Sequence, residues 1–144
     1  MSELEIEVAG YRFLARLETA QAPKTVALFR SLLPLETKII HARWSGESCW
    51  LPFGDMNLDL PYENHTSHPF PGQVLLYPGG ISETEILFPY GAAFFGSKVG
   101  QLAGNNFLTV VEGRENLYEL GRRVLWEGAK DITFKELSRR PGDG

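Results

Sequence analysis

Residues 38–52 read KIIHARWSGESCWLP, and the rest of the chain is organised around this stretch. Two extended runs meet at Ser45-Gly46, which predicts a β-hairpin with a tight turn. Side chains alternate between the faces of a strand, so the predicted pairing of His41 with Trp50 assigns every residue to a face. One face is apolar and consists of Ile40, Ala42, Cys49 and Leu51. The other face is polar and carries His41, Arg43, Ser48 and Trp50, which predicts the wall of a binding cleft.

The flanking segments predict further strands and two helices. Leu4, Ile6 and Val8 alternate with glutamates, the pattern of a half-buried strand. Pro23 opens a helix with an apolar stripe, and Asn116 is expected to cap a second one. No Ser, Thr, Asp or Asn cap precedes Pro23, so we expect packing or another partner to hold that end. Other strands are predicted at residues 11–17, 73–77, 83–90, 92–96, 106–111 and 131–137.

This inventory predicts a mainly β fold, a closed β-barrel of about eight strands with two short helices. Residues 1–137 are expected to form a single domain and residues 138–144 a polar C-terminal tail. The interior of an eight-stranded barrel fills with side chains, which favours a site on the outer wall or at a mouth. Residues 53–72 have no sustained period and predict a long loop draped over the barrel.

Composition excludes several classes of function. The net charge of −4 argues against nucleic acid and anionic membranes as partners. The single cysteine, Cys49, excludes an intramolecular disulfide and a cysteine-based metal site. No metal or cofactor is predicted, because His65 and His68 in the long loop are a weak metal signal. The chain begins without a signal-peptide pattern and has no bilayer-length apolar run, so a cytoplasmic protein is expected.

Three charged residues are the strongest candidates for binding chemistry. Arg43 on a β-face can grip an anionic group and stack on the Trp50 indole. An internal ion pair with Glu47, Glu83 or Glu85 explains the same arginine equally well. Glu83 and Glu85 point the same way, about 7 Å apart at their Cα atoms. They can hold a cation or divide into an acid and a base if burial separates their pKa values, and a solvated outer face is the alternative.

Several segments resemble known families. Residues 14–33, LARLETAQAPKTVALFRSLL, are similar to the opening strand and first helix of cyclophilins. Residues 102–109, LAGNNFLT, resemble that family's Gly-x-Gln-Phe-Phe strand, and residues 119–124, ELGRRV, resemble a later segment. Residues 41–50 together with 63–107 are more similar to a shorter bacterial branch of uncharacterised cyclophilin-like proteins, catalogued as a domain of unknown function. The resemblance implies a cyclophilin-like β-barrel and carries no assigned activity.

The resemblance also raises prolyl isomerase activity as an alternative. Arg43 stands where cyclophilins have their catalytic arginine, with the spacing shifted by one residue. Asn106 stands in place of the family's glutamine, and Leu108 replaces the phenylalanine that floors the proline pocket. Catalysis of this rotation needs an arginine beside that apolar pocket. The resemblance therefore implies the arginine without the pocket.

The sequence predicts a binding module for a small polar or anionic metabolite, held in a cleft on the barrel wall. Arg43 is expected to anchor the anionic group, with Trp50 and Tyr90 as walls. The predicted ligand-binding residues are His41, Arg43, Trp50, Glu83, Glu85, Tyr90, Asn106 and Phe107. Three alternatives stay open. They are a weak or divergent peptidyl-prolyl cis-trans isomerase, an unassigned small-molecule enzyme using Glu83 or Glu85, and a structural protein or homo-oligomer that associates through Phe94-Phe95 and the long loop at residues 53–72.

Overall fold

The computed structural model describes residues 2–137, so Met1 and the predicted tail at residues 138–144 lie outside the described residues. Over that range the chain forms eight strands of five or more residues and two α-helices. The strands are β1 Leu4–Val8, β2 Tyr11–Leu17, β3 Leu35–His41, β4 Gly46–Pro52, β5 Gln73–Tyr77, β6 Glu85–Ala93, β7 Gly104–Glu112 and β8 Lys130–Glu136. The helices are α1 Pro23–Ser31 and α2 Leu117–Glu127, the latter preceded by a 3-10 turn at Arg114–Asn116.

The eight strands close into a barrel. Their order around the ring is β2-β1-β8-β3-β4-β6-β5-β7, and β7 pairs with β2 to complete it. Every pairing is antiparallel, and closure leaves these strands with neighbours on both sides. The predicted mainly β, closed barrel with two short helices is confirmed. In the described part of the chain, neither helix is long and apolar enough to cross a membrane.

The barrel interior is a continuous apolar core. Alternate residues of each strand point inward, and phenylalanines supply much of the volume. Phe29 of α1 packs on Phe107 and Phe134, with ring centroids 4.7 and 5.5 Å apart respectively. The buried stripe of α2 includes Gly121, which lies against the ring of Tyr90. The interior is thus filled with side chains, as expected for a barrel of this size.

The predicted register of the central hairpin is wrong by one residue. The structure pairs Ile40 with Trp50 and His41 with Cys49. β3 ends at His41, and residues 42–45 form an irregular loop in place of a two-residue turn. A slip of one residue exchanges the faces of a strand. His41 therefore lies on the inner side with Cys49, whereas Ile40 lies on the outer side with Trp50.

Helix α1 has no local side-chain cap, and its N-terminus is capped by a distant residue, Glu63. The N–H of Thr25 cannot bond within the helix, since it belongs to the first turn. It donates to Glu63 Oε1 at 2.6 Å, and the Thr25 hydroxyl donates to the same oxygen at 2.8 Å. The predicted side-chain cap of α2 is absent: Asn116 occupies the N-cap position, but its side chain makes no capping hydrogen bond.

Loss of the Glu63 carboxylate should destabilise the fold. We expect Glu63→Ala to lower the free energy of unfolding by about 1–2 kcal/mol, the range for a lost helix cap. Urea unfolding would measure the change. Asp59→Ala, at an exposed position in the same loop, is the matched control and should have little effect. Equal unfolding midpoints for the two variants would contradict the assigned role of Glu63.

Candidate functional site

A cleft of about 290 Å³ lies on the outer wall of the barrel, over strands β4 and β6. We call it the outer-wall cleft. Four loop segments contribute to its lining, and its volume is near the lower end of the range for small-molecule sites, about 300–1,000 Å³. Its lining residues are Ala42, Arg43, Trp44, Ser45, Trp50, Asp55, Gly80, Ile81, Ser82, Glu83, Glu85, Gly96, Ser97, Lys98 and Val99.

A second apolar cluster supports the cleft from below. It lies on the outer face of the sheet, separate from the barrel core, and comprises Leu75, Tyr77, Leu87, Phe95 and Leu102. Trp50 is half-buried against this cluster and also lines the cleft. Phe95 is fully buried there, which removes half of the Phe94-Phe95 pair that was considered for self-association. The indole of Trp50 is therefore a fixed apolar surface at the site.

The loop that carries Arg43 is fixed by contacts with a distant segment. Ser45 is buried, its hydroxyl donates to the Gly96 carbonyl at 3.1 Å, and it accepts the Gly96 N–H at 3.0 Å. A Cβ atom at Gly96 would lie 2.7 Å from the Trp44 carbonyl oxygen, so only glycine permits this approach. The two loops therefore form one rigid side of the cleft.

Four charged side chains surround the mouth of the cleft. Arg43, Asp55, Glu83 and Lys98 are all exposed. Within residues 2–137 none of them forms an ion pair, so the internal salt bridge considered for Arg43 is not present. Glu47, one of its considered partners, instead accepts the Ala92 N–H at 2.9 Å. The mouth therefore offers both signs of charge to a ligand.

Glu85 is the one buried ionisable residue among those that line the outer-wall cleft. It is 7% exposed. No described residue donates a hydrogen bond to its carboxyl group or forms an ion pair with it. Burial, with a smaller contribution from the charge of Glu83, raises the pKa of Glu85 to about 8. The group is therefore mainly a neutral carboxylic acid at pH 7. A perturbed carboxyl group in a cleft is a common feature of functional sites.

Two of the predicted site residues face the barrel interior. His41 Nδ1 lies 2.8 Å from the Ala42 carbonyl, and Nε2 lies 2.7 Å from the Tyr90 hydroxyl. A carbonyl can only accept, so in the neutral ring Nδ1 carries the proton and Nε2 accepts from Tyr90. Tyr90 is buried, and burial is the main cause that raises its pKa to about 12. Neither residue lines the outer-wall cleft.

Asn106 and Phe107, the two predicted site residues on β7, are also buried. The amide of Asn106 donates to the carbonyls of Val74 and Leu108, at 3.1 and 2.9 Å, across an irregularity in the strand pairing. Phe107 is fully buried in the core against Phe29. Of the eight predicted residues, the structure brings together four in the cleft: Arg43, Trp50, Glu83 and Glu85.

Sequence reasoning missed most of the loop residues of the cleft. Trp44, Ile81 and Val99 are more than half exposed, which is unusual for large apolar side chains. Lys98 and Asp55 lie in segments without periodicity, where a strand pattern gives no information. An apolar residue directly after two glycines, as in Gly79-Gly80-Ile81, is a local sequence signal that could have pointed to this surface. Among residues 2–137, no group of three His, Cys, Asp or Glu side chains is placed to hold a metal ion.

The fold and the cleft define a small closed β-barrel with a ligand-sized site on its outer wall. The chain belongs to the family described as "Protein of unknown function (DUF3830)", which matches residues 4–136. The resemblance to a family of unknown function is thus confirmed, while the link to cyclophilins stays a prediction. No curated protein matches the chain.

The fold is shared with other solved structures, and McbB and AF2241 are two of them. The structure of McbB in complex with tryptophan aligns with a TM-score of 0.71 and 19% identity over 95% of this chain. It covers 45% of McbB, so the chain spans less than half the length of that protein. The solution structure of the hypothetical protein AF2241 from Archaeoglobus fulgidus aligns with a TM-score of 0.55 and 16% identity, over 94% of this chain and 95% of AF2241. At these identities the similarity concerns the fold.

Proposed function

We propose that this protein binds a small polar metabolite with an anionic group in the outer-wall cleft. The observation that carries the proposal is a ligand-sized cleft where two cations, Arg43 and Lys98, have no ion-pair partner among the described residues. Arginine offers a planar fork of donors that suits carboxylates and phosphates. Trp44 and Trp50 supply apolar surface for the remainder of the ligand.

Two considerations support binding over the alternatives. McbB, a protein of the same fold, is known in complex with tryptophan, so tryptophan belongs among the first test ligands. The prolyl isomerase alternative gains no support, since Asn106 and Phe107 are both buried and neither lines the cleft with Arg43. The cytoplasmic location and the possibility of a homo-oligomer stay predictions.

A second candidate function is general acid–base catalysis by Glu85. It is favoured by one observation, the raised pKa of about 8 in a carboxyl group that lines the cleft. A group that titrates near neutral pH can both give and take a proton under physiological conditions. Turnover of any ligand found by the binding screen, lost in Glu85→Gln, would establish this function.

Substitution of Arg43 tests the binding function. We expect carboxylates and phosphates from a metabolite panel, tryptophan included, to raise the melting temperature of the wild type. Titration of the best ligand should show about tenfold weaker binding to Arg43→Ala, because a charged hydrogen bond is lost. Arg122→Ala, on helix α2 and outside the cleft, is the control. Equal stabilisation of wild type and Arg43→Ala by every anionic ligand would disprove the proposal.

A further inference from the structure

The charges around the outer-wall cleft are separated by sign. Glu85 pairs with Pro52 at the end of β4, and Glu83 precedes it by two residues, so these two carboxyl groups form an acidic end of the cleft. The loop that carries Arg43 precedes Gly46, at the start of β4. Ser45 joins this loop to Gly96, two residues before Lys98, so Arg43 and Lys98 form a basic end. Opposite charges that share a cleft without pairing leave both ends available to one ligand.

The carboxyl group of Glu85 is accessible from the cleft although the residue is almost fully buried. Within residues 2–137, every side-chain nitrogen or oxygen that is sealed from the surface has a hydrogen-bond partner. The Glu85 oxygens have no partner there, so they are not sealed and reach the cleft that the residue lines. A buried polar group without a protein partner is costly unless another molecule supplies the hydrogen bond.

The surroundings of Glu85 on neighbouring elements contain no cation. Glu85 pairs with Tyr77 on the neighbouring strand β5 and with Pro52 on the neighbouring strand β4. The Tyr77 hydroxyl accepts the Ser82 N–H at 3.3 Å and makes no hydrogen bond to Glu85. The ionisable groups around Glu85 are Glu83 on its own segment, Tyr77 on β5, Asp55 after β4, and Arg43 and Lys98 at the other end of the cleft. A hydrogen-bond donor to the Glu85 carboxyl group therefore comes from water or from a ligand in the cleft.

We propose that the outer-wall cleft selects small zwitterions of the amino-acid class, with the ammonium group at Glu85 and Glu83 and the carboxylate at Arg43 and Lys98. This inference rests on the proposed binding function and adds the ammonium requirement. The apolar part of the ligand lies against Trp44 and Trp50. Glu85 then fixes which end of the ligand enters the acidic side.

Binding of an ammonium group should displace the proton that Glu85 carries in the free protein. With a pKa of about 8, most molecules hold this proton at pH 7. Below pH 8 the ionised fraction rises about tenfold per pH unit, and the apparent affinity for a zwitterion should rise in parallel. Isothermal titration in two buffers of different ionisation enthalpy would detect release of nearly one proton per ligand at pH 7.

The test uses the full chain and three matched probes. All twenty amino acids are screened first by thermal shift. L-phenylalanine is then compared with 3-phenylpropionate, which lacks the amino group, and with 2-phenylethylamine, which lacks the carboxylate. We expect at least tenfold weaker binding of both analogues at pH 7. Glu85→Gln should weaken binding of L-phenylalanine about tenfold and abolish proton release, whereas Glu115→Gln, at an exposed position away from the cleft, should do neither.

The outcomes separate this inference from the binding function. If 3-phenylpropionate binds as tightly as L-phenylalanine, or if Glu85→Gln leaves amino-acid binding and proton release unchanged, the ammonium requirement is wrong and anion binding stands. If 2-phenylethylamine binds as tightly as L-phenylalanine, the carboxylate is not needed and both proposals fail. Absence of a thermal shift with every amino acid, while other anions bind, also overturns the inference alone.

Discussion

Glu85→Gln is expected to stabilise the protein progressively as the pH rises from 5 to 9. The carboxyl group has an ordinary pKa of 4.5 and a folded pKa of about 8. Between these values the folded protein holds a proton that the unfolded chain has released, so wild-type stability falls by about 1.4 kcal/mol per pH unit. At pH 9 this loss in the free energy of unfolding should amount to about 3–5 kcal/mol. Glutamine has a similar shape and no charge to bury, so it avoids this loss.

Urea unfolding at pH 5, 6, 7, 8 and 9 would measure the difference between the two curves. The other glutamates with perturbed pKa values, Glu5, Glu47 and Glu127, all have lowered pKa values. Their contributions are lost as the pH falls below 4.5, outside the window in which Glu85 titrates. Glu115→Gln is the control and should run parallel to the wild type. If the pH dependence of unfolding of Glu85→Gln also runs parallel to that of the wild type, the carboxyl group of Glu85 is not buried in solution.

Gly121→Ala is expected to destabilise the protein by about 3 kcal/mol, the upper part of the range for overpacking. In most helices the same substitution is favourable, by about 0.5–1 kcal/mol. Here a Cβ atom at position 121 would overlap the ring of Tyr90, at its Cγ, Cδ2 and Cε2 atoms. The ring cannot easily move, since its hydroxyl bonds His41 and the ring makes an edge-to-face contact with Tyr118. Helix α2 must therefore shift away from the barrel.

A double-mutant cycle would test this cause. The cost of Gly121→Ala, measured by urea unfolding, should largely disappear in a Tyr90→Ala background, where the space for a methyl group exists. Leu125→Ala, on the more exposed side of the same helix, is a matched control for a change in helix propensity. An unfolding midpoint that rises with Gly121→Ala would show that the helix does not lie against Tyr90 as described.

Most of the strands and the helix starts were predictable because their signals are local. Alternation over residues 4–8 and the proline at position 23 each depend on neighbouring residues alone. The separate strand predicted at residues 92–96 is wrong, because β6 continues to Ala93 and residues 94–95 are not in a strand. The closure of the barrel followed from the number of strands with one apolar face. The cap of helix α1 was predicted only as missing, since Glu63 lies far away in the chain.

The hairpin register was not predictable from its own residues. Ser45-Gly46 has the composition of a tight turn, but Ser45 is drawn to the backbone of Gly96, fifty-one positions later. That contact replaces the turn by a longer loop and moves His41 to the inner face. Arg43 still lines the cleft because it lies in this loop and not on the strand. The pairing prediction was wrong, although the hairpin did place Arg43 and Trp50 in the same cleft.

The burial of Asn106 and Tyr90 was also not predictable, because it depends on partners that are distant in the sequence. Asparagine and tyrosine carry polar groups that suit a binding site equally well as a buried hydrogen bond. An irregularity between β5 and β7 brings two carbonyls to the Asn106 amide, and these hydrogen bonds compensate for the burial of the side chain. A sequence gives no measure of such distant partners. Local patterns therefore predicted the barrel, and four of the eight predicted site residues line the outer-wall cleft.

The alternation of β6 places Ile86 and Phe88 in the barrel core and Glu85 on the outer wall. The packing of the barrel core and the lining of the outer-wall cleft thus depend on different residues of the same strand. Substitutions at the exposed positions of the cleft can change its shape and charge without altering the core inside the barrel. A scaffold of this kind is suited to diversification, because new specificities can arise on it through small steps that each leave a foldable protein.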